Sequence, residues 1–131
     1  MATSDMDIID TARSIRERAH APYSKFKVGA ALVSSSGEIY EGCNVENISF
    51  GLTMCAERVA VGAAIADGVQ EFRLLAIVAD SKNPIVPCGA CRQVLAEFNP
   101  SLRIISSTLS GQTAEFRLEE LLPKPSQGIL E

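Results

Sequence analysis

Leu74–Ala79 reads LLAIVA, an apolar run with no polar break. A strand with one wet face alternates apolar and polar residues, so an unbroken run calls for cover on both faces. The run is far too short to cross a bilayer. The rest of the chain has to supply the cover. Ser4 or Asp5 can cap a first helix, in which Ile8, Ile9, Ala12, Ile15 and Ala19 recur near the helical period and Pro22 ends the pattern. Phe26, Val28, Ala30 and Leu32 alternate with Lys27, Gly29, Ala31 and Val33 as in a strand, SSSG at Ser34–Gly37 makes a turn, and Glu38–Val45 is the returning strand. A second helix starts at Cys55, with Val59, Ala63 and Ala66 as its inner face and Gly68 at its C-terminal end. Pro84 and Pro87 bracket a loop before a third helix, Gly89–Phe98, whose Val94, Leu95 and Phe98 point inward; Asn99-Pro100 stops it. Leu102–Ser106 and Ala114–Leu118 complete the strands, and Glu119–Leu122 forms one helical turn before Pro123.

This order predicts an α/β fold. It is a three-layer α/β/α domain with a mixed sheet of about five strands, partly parallel where strand, helix and strand follow one another. The 131 residues, 47% of them hydrophobic, suit one domain spanning 1–131 with enough core to need no disulfide staples. The net charge is −4, and Lys and Arg are scattered rather than gathered into a stripe, which excludes a nucleic-acid polymer as partner. The polar, acidic start MATSDMDIID has no signal-like apolar core. A soluble, cytoplasmic protein away from membranes is expected, and in a reducing compartment its four cysteines are ligands or buried thiols before they are disulfides.

Three of those cysteines stand at helix starts: Cys55 in LTMCAERVA, and Cys88 and Cys91 in VPCGACRQVL. Helix N-termini favour thiolates. If the two ends converge, three thiolates hold one tetrahedral zinc and leave a corner open. An open corner admits water, which zinc acidifies to a pKa of ~7. The proton then needs an acceptor that is not a ligand, and Glu57, two residues after Cys55, is within reach. Three thiolates leave the centre with an excess negative charge. Arg58 can offset it by bonding a ligand sulfur, or it can be an ordinary surface arginine. Cys43 would close the site as a fourth ligand, but strand alternation turns it away from polar Asn44 and Glu46, which share a face suited to hydrogen-bonding a ligand. Cys43 is then a small buried residue, and His20 a surface residue at the end of the first helix. A redox pair at Cys88 and Cys91, a closed structural zinc site and merely buried cysteines are the competing readings.

C-A-E at Cys55–Glu57 followed by P-C-x-x-C at Pro87–Cys91 resembles the zinc-deaminase signature. With Cys rather than His before Ala-Glu, and with APYSKFKVGAAL, GCNVEN, MCAERVA, PCGACRQVL and EELLP in order, the chain resembles the small three-cysteine cytidine deaminases from Ala21 to Pro123. That resemblance implies zinc-dependent hydrolytic deamination of cytidine and 2′-deoxycytidine in pyrimidine salvage, with one Zn2+ per chain on Cys55, Cys88 and Cys91 and Glu57 as general acid and base. It implies that Phe26 packs against the nucleoside, Asn44 and Glu46 bind the ribose hydroxyls, and the Ala56 backbone holds the pyrimidine. It also implies a homotetramer whose active sites borrow residues from neighbours. After Leu121-Leu122-Pro123 this chain lacks the aromatic residue that often follows in such enzymes, and Phe50 is the candidate to replace it. A blasticidin-S-type deaminase and a non-catalytic zinc or nucleoside-binding protein are the alternatives.

Overall fold

The computed structural model of the chain describes residues 3–126. In chain order the elements are α1 (Asp5–Arg16), β1 (Val28–Ser34), β2 (Ile39–Cys43), a 3-10 turn (Phe50–Leu52), α2 (Ala56–Ala66), β3 (Phe72–Ala79), α3 (Gly89–Phe98), β4 (Arg103–Thr108), β5 (Thr113–Arg117) and α4 (Leu118–Leu121). They build one sheet in the order β2-β1-β3-β4-β5. The β3–β4 pair is parallel and the other pairs are antiparallel.

The apolar run lies in the central strand β3, and its residues divide between two cores. Leu75, Ile77 and Ala79 join Ala56, Ala60 and Leu95 on the side of α2 and α3. Leu74, Ala76 and Val78 join Ile8, Ile9 and Ala12 under α1. Side chains alternate along a strand, so cover on both sides is what allows every one of them to be apolar. Each fully buried Leu, Ile or Val contributes about 1.5–3 kcal/mol. The expected three layers and mixed sheet are therefore present, with α1 the one helix on its face among the described residues.

Two helices differ from their sequence reading. α1 ends at Arg16, capped by Glu17, rather than running to Pro22. Arg16 is buried, and its Nε donates to the Lys27 carbonyl at 3.0 Å. Beyond it the backbone finds partners outside a helix: His20 N–H donates to the Asn44 carbonyl, and Glu46 N–H to the His20 carbonyl. Ala19 and His20 thus leave the helix, though the His20 side chain is exposed as expected.

The inner face of α2 is Ala56, Glu57, Ala60, Val61 and Ala64, not Val59, Ala63 and Ala66. The helix is apolar on most sides, so periodicity alone could not orient it. Contact with β2 does. A Cβ on Gly42 would lie 2.3 Å from the Ala56 carbonyl oxygen and 2.5 Å from Ala60 N, so only glycine permits this approach. Gly29 does the same for α1, where a Cβ would lie 1.9 Å from the Ala12 oxygen. Gly62, Ala63 and Ala66 are left exposed.

Candidate active site and metal centre

Cys55 is the N-cap of α2 and Cys88 the N-cap of α3; Cys91 lies in the first turn of α3. Neither capping cysteine spends its sulfur on a cap hydrogen bond. The three Sγ atoms lie within 4.8 Å of one another, the one such metal-capable group among the described residues. The Cys55 and Cys88 sulfurs are 3.9 Å apart. Tetrahedral thiolates at ~2.3 Å from zinc stand ~3.8 Å apart, so the Cys55–Cys88 spacing matches that of two ligands on one ion, and three thiols are a donor set that suits zinc. Cys43 is not in the group. It pairs across the ladder with Gly29, whose Cβ direction points at α1, so Cys43 also faces α1, away from the other three cysteines. It is half-buried there rather than fully buried.

The three sulfurs are not equivalent. Cys91 is fully buried and Cys88 is exposed. A hydrogen bond from Cys91, then those from Arg58 and Cys88, hold the Cys55 thiol down to about 5. Its hydrogen bond to Cys55 and its burial push the Cys91 thiol well up. Of this pair, Cys55 is the thiol favoured as a thiolate and Cys91 the one favoured as its hydrogen-bond donor. Arg58 Nη2 lies 3.3 Å from Cys55 Sγ and donates at the same distance to the Thr53 carbonyl. The thiolate in turn raises the guanidinium above its usual value.

Glu57 follows in the first turn of α2 and is only 4% exposed. Burial pushes its carboxyl up, and the neighbouring Cys55 thiolate pushes it further. It forms no ion pair among the described residues. A buried carboxyl raised in this way holds a proton more readily than an exposed one, which is the property a general acid–base group needs.

Glu57, Cys55 and Cys88 line a cavity of about 230 Å³ together with Phe26, Val28, Asn44, Thr53, Ala56, Ile85 and Val86. A second hollow of about 370 Å³ is lined by Tyr23, Ser24, Glu46, Phe50 and again Thr53. Asn44 and Glu46 are both tied to the segment that precedes β1. Asn44 Oδ1 accepts from Val28 N–H and its Nδ2 donates to the Phe26 carbonyl, each at 2.8 Å. Glu46 accepts from the Tyr23 and Ser24 N–H groups and from the Ser24 hydroxyl, which holds its carboxyl below the usual range. The strand reading of these two residues needs one change: β2 ends at Cys43, and Asn44 and Glu46 lie in the extended segment beyond it. A third hollow, of about 540 Å³, lies away from the cysteines, between the Ser34–Glu38 turn and the residues after α2.

The sequence reading missed Thr53, Ile85 and Val86 as cavity residues. Ile85-Val86 is an apolar pair between two prolines, a signal that could have been used; nothing local marks Thr53.

A family model described as the cytidine and deoxycytidylate deaminase zinc-binding region matches residues 2–107. The cytidine deaminase of Sporosarcina psychrophila is 50% identical over 117 residues, covering 88% of this chain and 86% of that protein. The crystal structure of cytidine deaminase from Burkholderia pseudomallei superposes with a TM-score of 0.90 at 45% identity, covering 93% of this chain and 98% of that one. A blasticidin-S deaminase from Bacillus cereus is more distant, at 26% identity over 133 residues, covering 94% of this chain and 92% of that protein. The three-thiol group, the carboxyl beside it and these likenesses over nearly the whole chain lead to one conclusion: the protein belongs to the zinc-binding cytidine deaminase family.

Proposed function

We propose that this protein, as a single deaminase domain, converts cytidine and 2′-deoxycytidine with water to the uridine forms and ammonia, using one Zn2+ per chain held by Cys55, Cys88 and Cys91. The observation that carries the reading is the buried, ion-pair-free carboxyl of Glu57 on the wall of the cavity that two of those thiols also line. When bound, zinc supplies a Lewis acid that brings the pKa of a water toward ~7. Glu57 takes the proton of the attacking water and delivers it to ring N3, so that C4 accepts the oxygen. It then moves the remaining proton of the new C4 hydroxyl to the amino group, the C4=O bond forms as the C4–N4 bond breaks, and ammonia leaves. Arg58 offsets the negative charge that three thiolates bring.

Phe26 stands at the cavity edge to pack against the nucleoside, and the backbone at Ala56, the first residue of α2, holds the pyrimidine. Asn44 and Glu46 bind the ribose hydroxyls. Their bonds to residues 23–28 fix their orientation, and each keeps hydrogen-bonding capacity to spare: the Asn44 amide a second N–H, the Glu46 carboxylate further lone pairs. The protein works as a cytoplasmic homotetramer in pyrimidine salvage. Support for assembly comes from Ile48, Phe50 and Leu52, which are 67–80% exposed beside the site, and from the small exposed residues Gly62, Ala63 and Ala66 on α2, which allow close approach of another backbone.

Ammonia release from cytidine, 2′-deoxycytidine, cytosine and blasticidin S, run beside a zinc count, tests the proposal. Turnover of both nucleosides at one zinc per chain is expected. Turnover of blasticidin S alone would replace the substrate assignment, and zinc without turnover would make this a binding protein.

A further inference from the structure

The three thiols differ in what holds them. Cys91 is locked inside α3, fully buried. Cys55 has the Arg58 guanidinium on its sulfur. Cys88 is exposed and sits at the end of the long loop after β3. Its own carbonyl accepts the first hydrogen bond of α3, from Arg92 N–H at 2.9 Å. The loop just before it packs Ile85 against the core but has few hydrogen bonds. Among the described residues a single hydrogen bond reaches 84–87, and Arg92 donates it, from Nε to the Pro87 carbonyl at 2.7 Å.

The same guanidinium reaches forward in the chain. Arg92 Nη1 donates to the Leu121 carbonyl at 3.1 Å, at the last residue of α4. Next to it, Gln93 Nε2 donates to the Pro125 carbonyl at 3.3 Å. A four-residue helix satisfies few of its own carbonyls, so α4 gains a partner that its length denies it. A planar guanidinium offers donors at fixed angles, so fixing one end of the pair orients the other. The side chain is half-buried, which limits competition from water.

We propose that Arg92 is the positioning residue for the Cys88 ligand: it clamps the peptide before Cys88 against the end of α4 and so holds the most exposed of the three thiols at its corner of the metal centre. The inference rests on the zinc reading given above. The C-terminal segment thereby takes part in metal retention, although it contributes no ligand.

The test is the rate at which the zinc-loaded protein gives up its metal to the chromogenic chelator 4-(2-pyridylazo)resorcinol. Arg92→Ala should release zinc about tenfold faster than wild type, the lower end of what hydrogen-bonding residues behind metal ligands contribute. Arg92→Lys keeps the charge but loses the fork, and its rate should fall between the two. Arg103→Ala, which breaks ion pairs linking α1, β4 and β5, should leave the rate unchanged. Cobalt-loaded Arg92→Ala should show an altered sulfur-to-cobalt absorption band. Release from Arg92→Ala at the wild-type rate overturns the proposal, as does equal acceleration in Arg103→Ala, which would reduce the effect to general destabilisation. If Arg92→Ala does not fold, wild-type release from Arg92→Lys overturns it instead. A wild type that takes up no zinc overturns the functional reading and this inference together, whereas a zinc-loaded wild type with unaffected Arg92 variants overturns this inference alone.

Discussion

At the scale of single residues, the site depends on a division of labour between neighbours on one helical turn. On the reading proposed above, Cys55 offers a sulfur, Glu57 a proton-carrying carboxyl and Arg58 a compensating charge, and helix geometry places each in a different direction. Arg58→Ala should keep one zinc per chain and lose about tenfold or more in kcat, because its guanidinium acts on a ligand sulfur rather than on the nucleoside. An unimpaired rate would return Arg58 to the surface residues. Cys43→Ala makes the opposite prediction. That thiol faces α1, so zinc content should stay at one per chain with activity largely kept; loss of metal from this variant would mean a fourth ligand had been overlooked.

At the scale of elements, close backbone contacts aim the site. Gly42 lets α2 rest on β2, and α2 carries Cys55 and Glu57 at its start. Gly42→Ala must push against the Ala56 carbonyl and Ala60 N, which are backbone and cannot swing aside. It should cost about 1–3 kcal/mol in a thermal melt, and zinc loading should fall with it. A variant of wild-type stability would show that the approach is not tight. This contact also explains what could be read from the sequence and what could not. The α3 limits, the two-sided burial of β3 and the convergence of two cysteine-bearing helix starts follow from local pattern and chemistry. The facing of α2 does not, since Val59, Ala63 and Ala66 are as apolar as Ala56, Ala60 and Ala64, and only the glycine on a distant strand decides between them. The early end of α1 was hidden for a similar reason: its competitor is a long-range bridge between His20 and Val45. The ligands were legible because metal chemistry demands particular residue types at particular spacings. Thr53 and Arg92 were not, because each acts through hydrogen bonds that involve main-chain carbonyls, which leave no mark on the sequence.

At the scale of the whole molecule, Arg103 joins the start of α1 to β4 and β5 through Asp5 at 2.6 Å and Glu115 at 2.8 Å. Its hydrogen bonds hold both carboxyls below their ordinary values. Groups with lowered folded-state values stabilise above their unfolded pKa, and that stability is lost as the pH falls through the lowered ones. Arg103→Ala should therefore melt below wild type by less than about 5 °C at neutral pH, and the gap should narrow as the pH drops from ~5 to ~3. A gap indifferent to pH would contradict the linkage. Sedimentation should report a mass near four chains; a stable, fully active monomer would contradict the assembly inferred from the exposed Ile48, Phe50 and Leu52. Ammonia release from cytidine by wild type and Glu57→Gln, with zinc counted in both, separates the proton carrier from the metal site. The substitution keeps the shape of the side chain and removes the proton carrier. One zinc per chain is expected in each protein, with a loss of at least ~10²–10⁴-fold in turnover for the variant; near-normal turnover with zinc in place would remove Glu57 from the proton transfers.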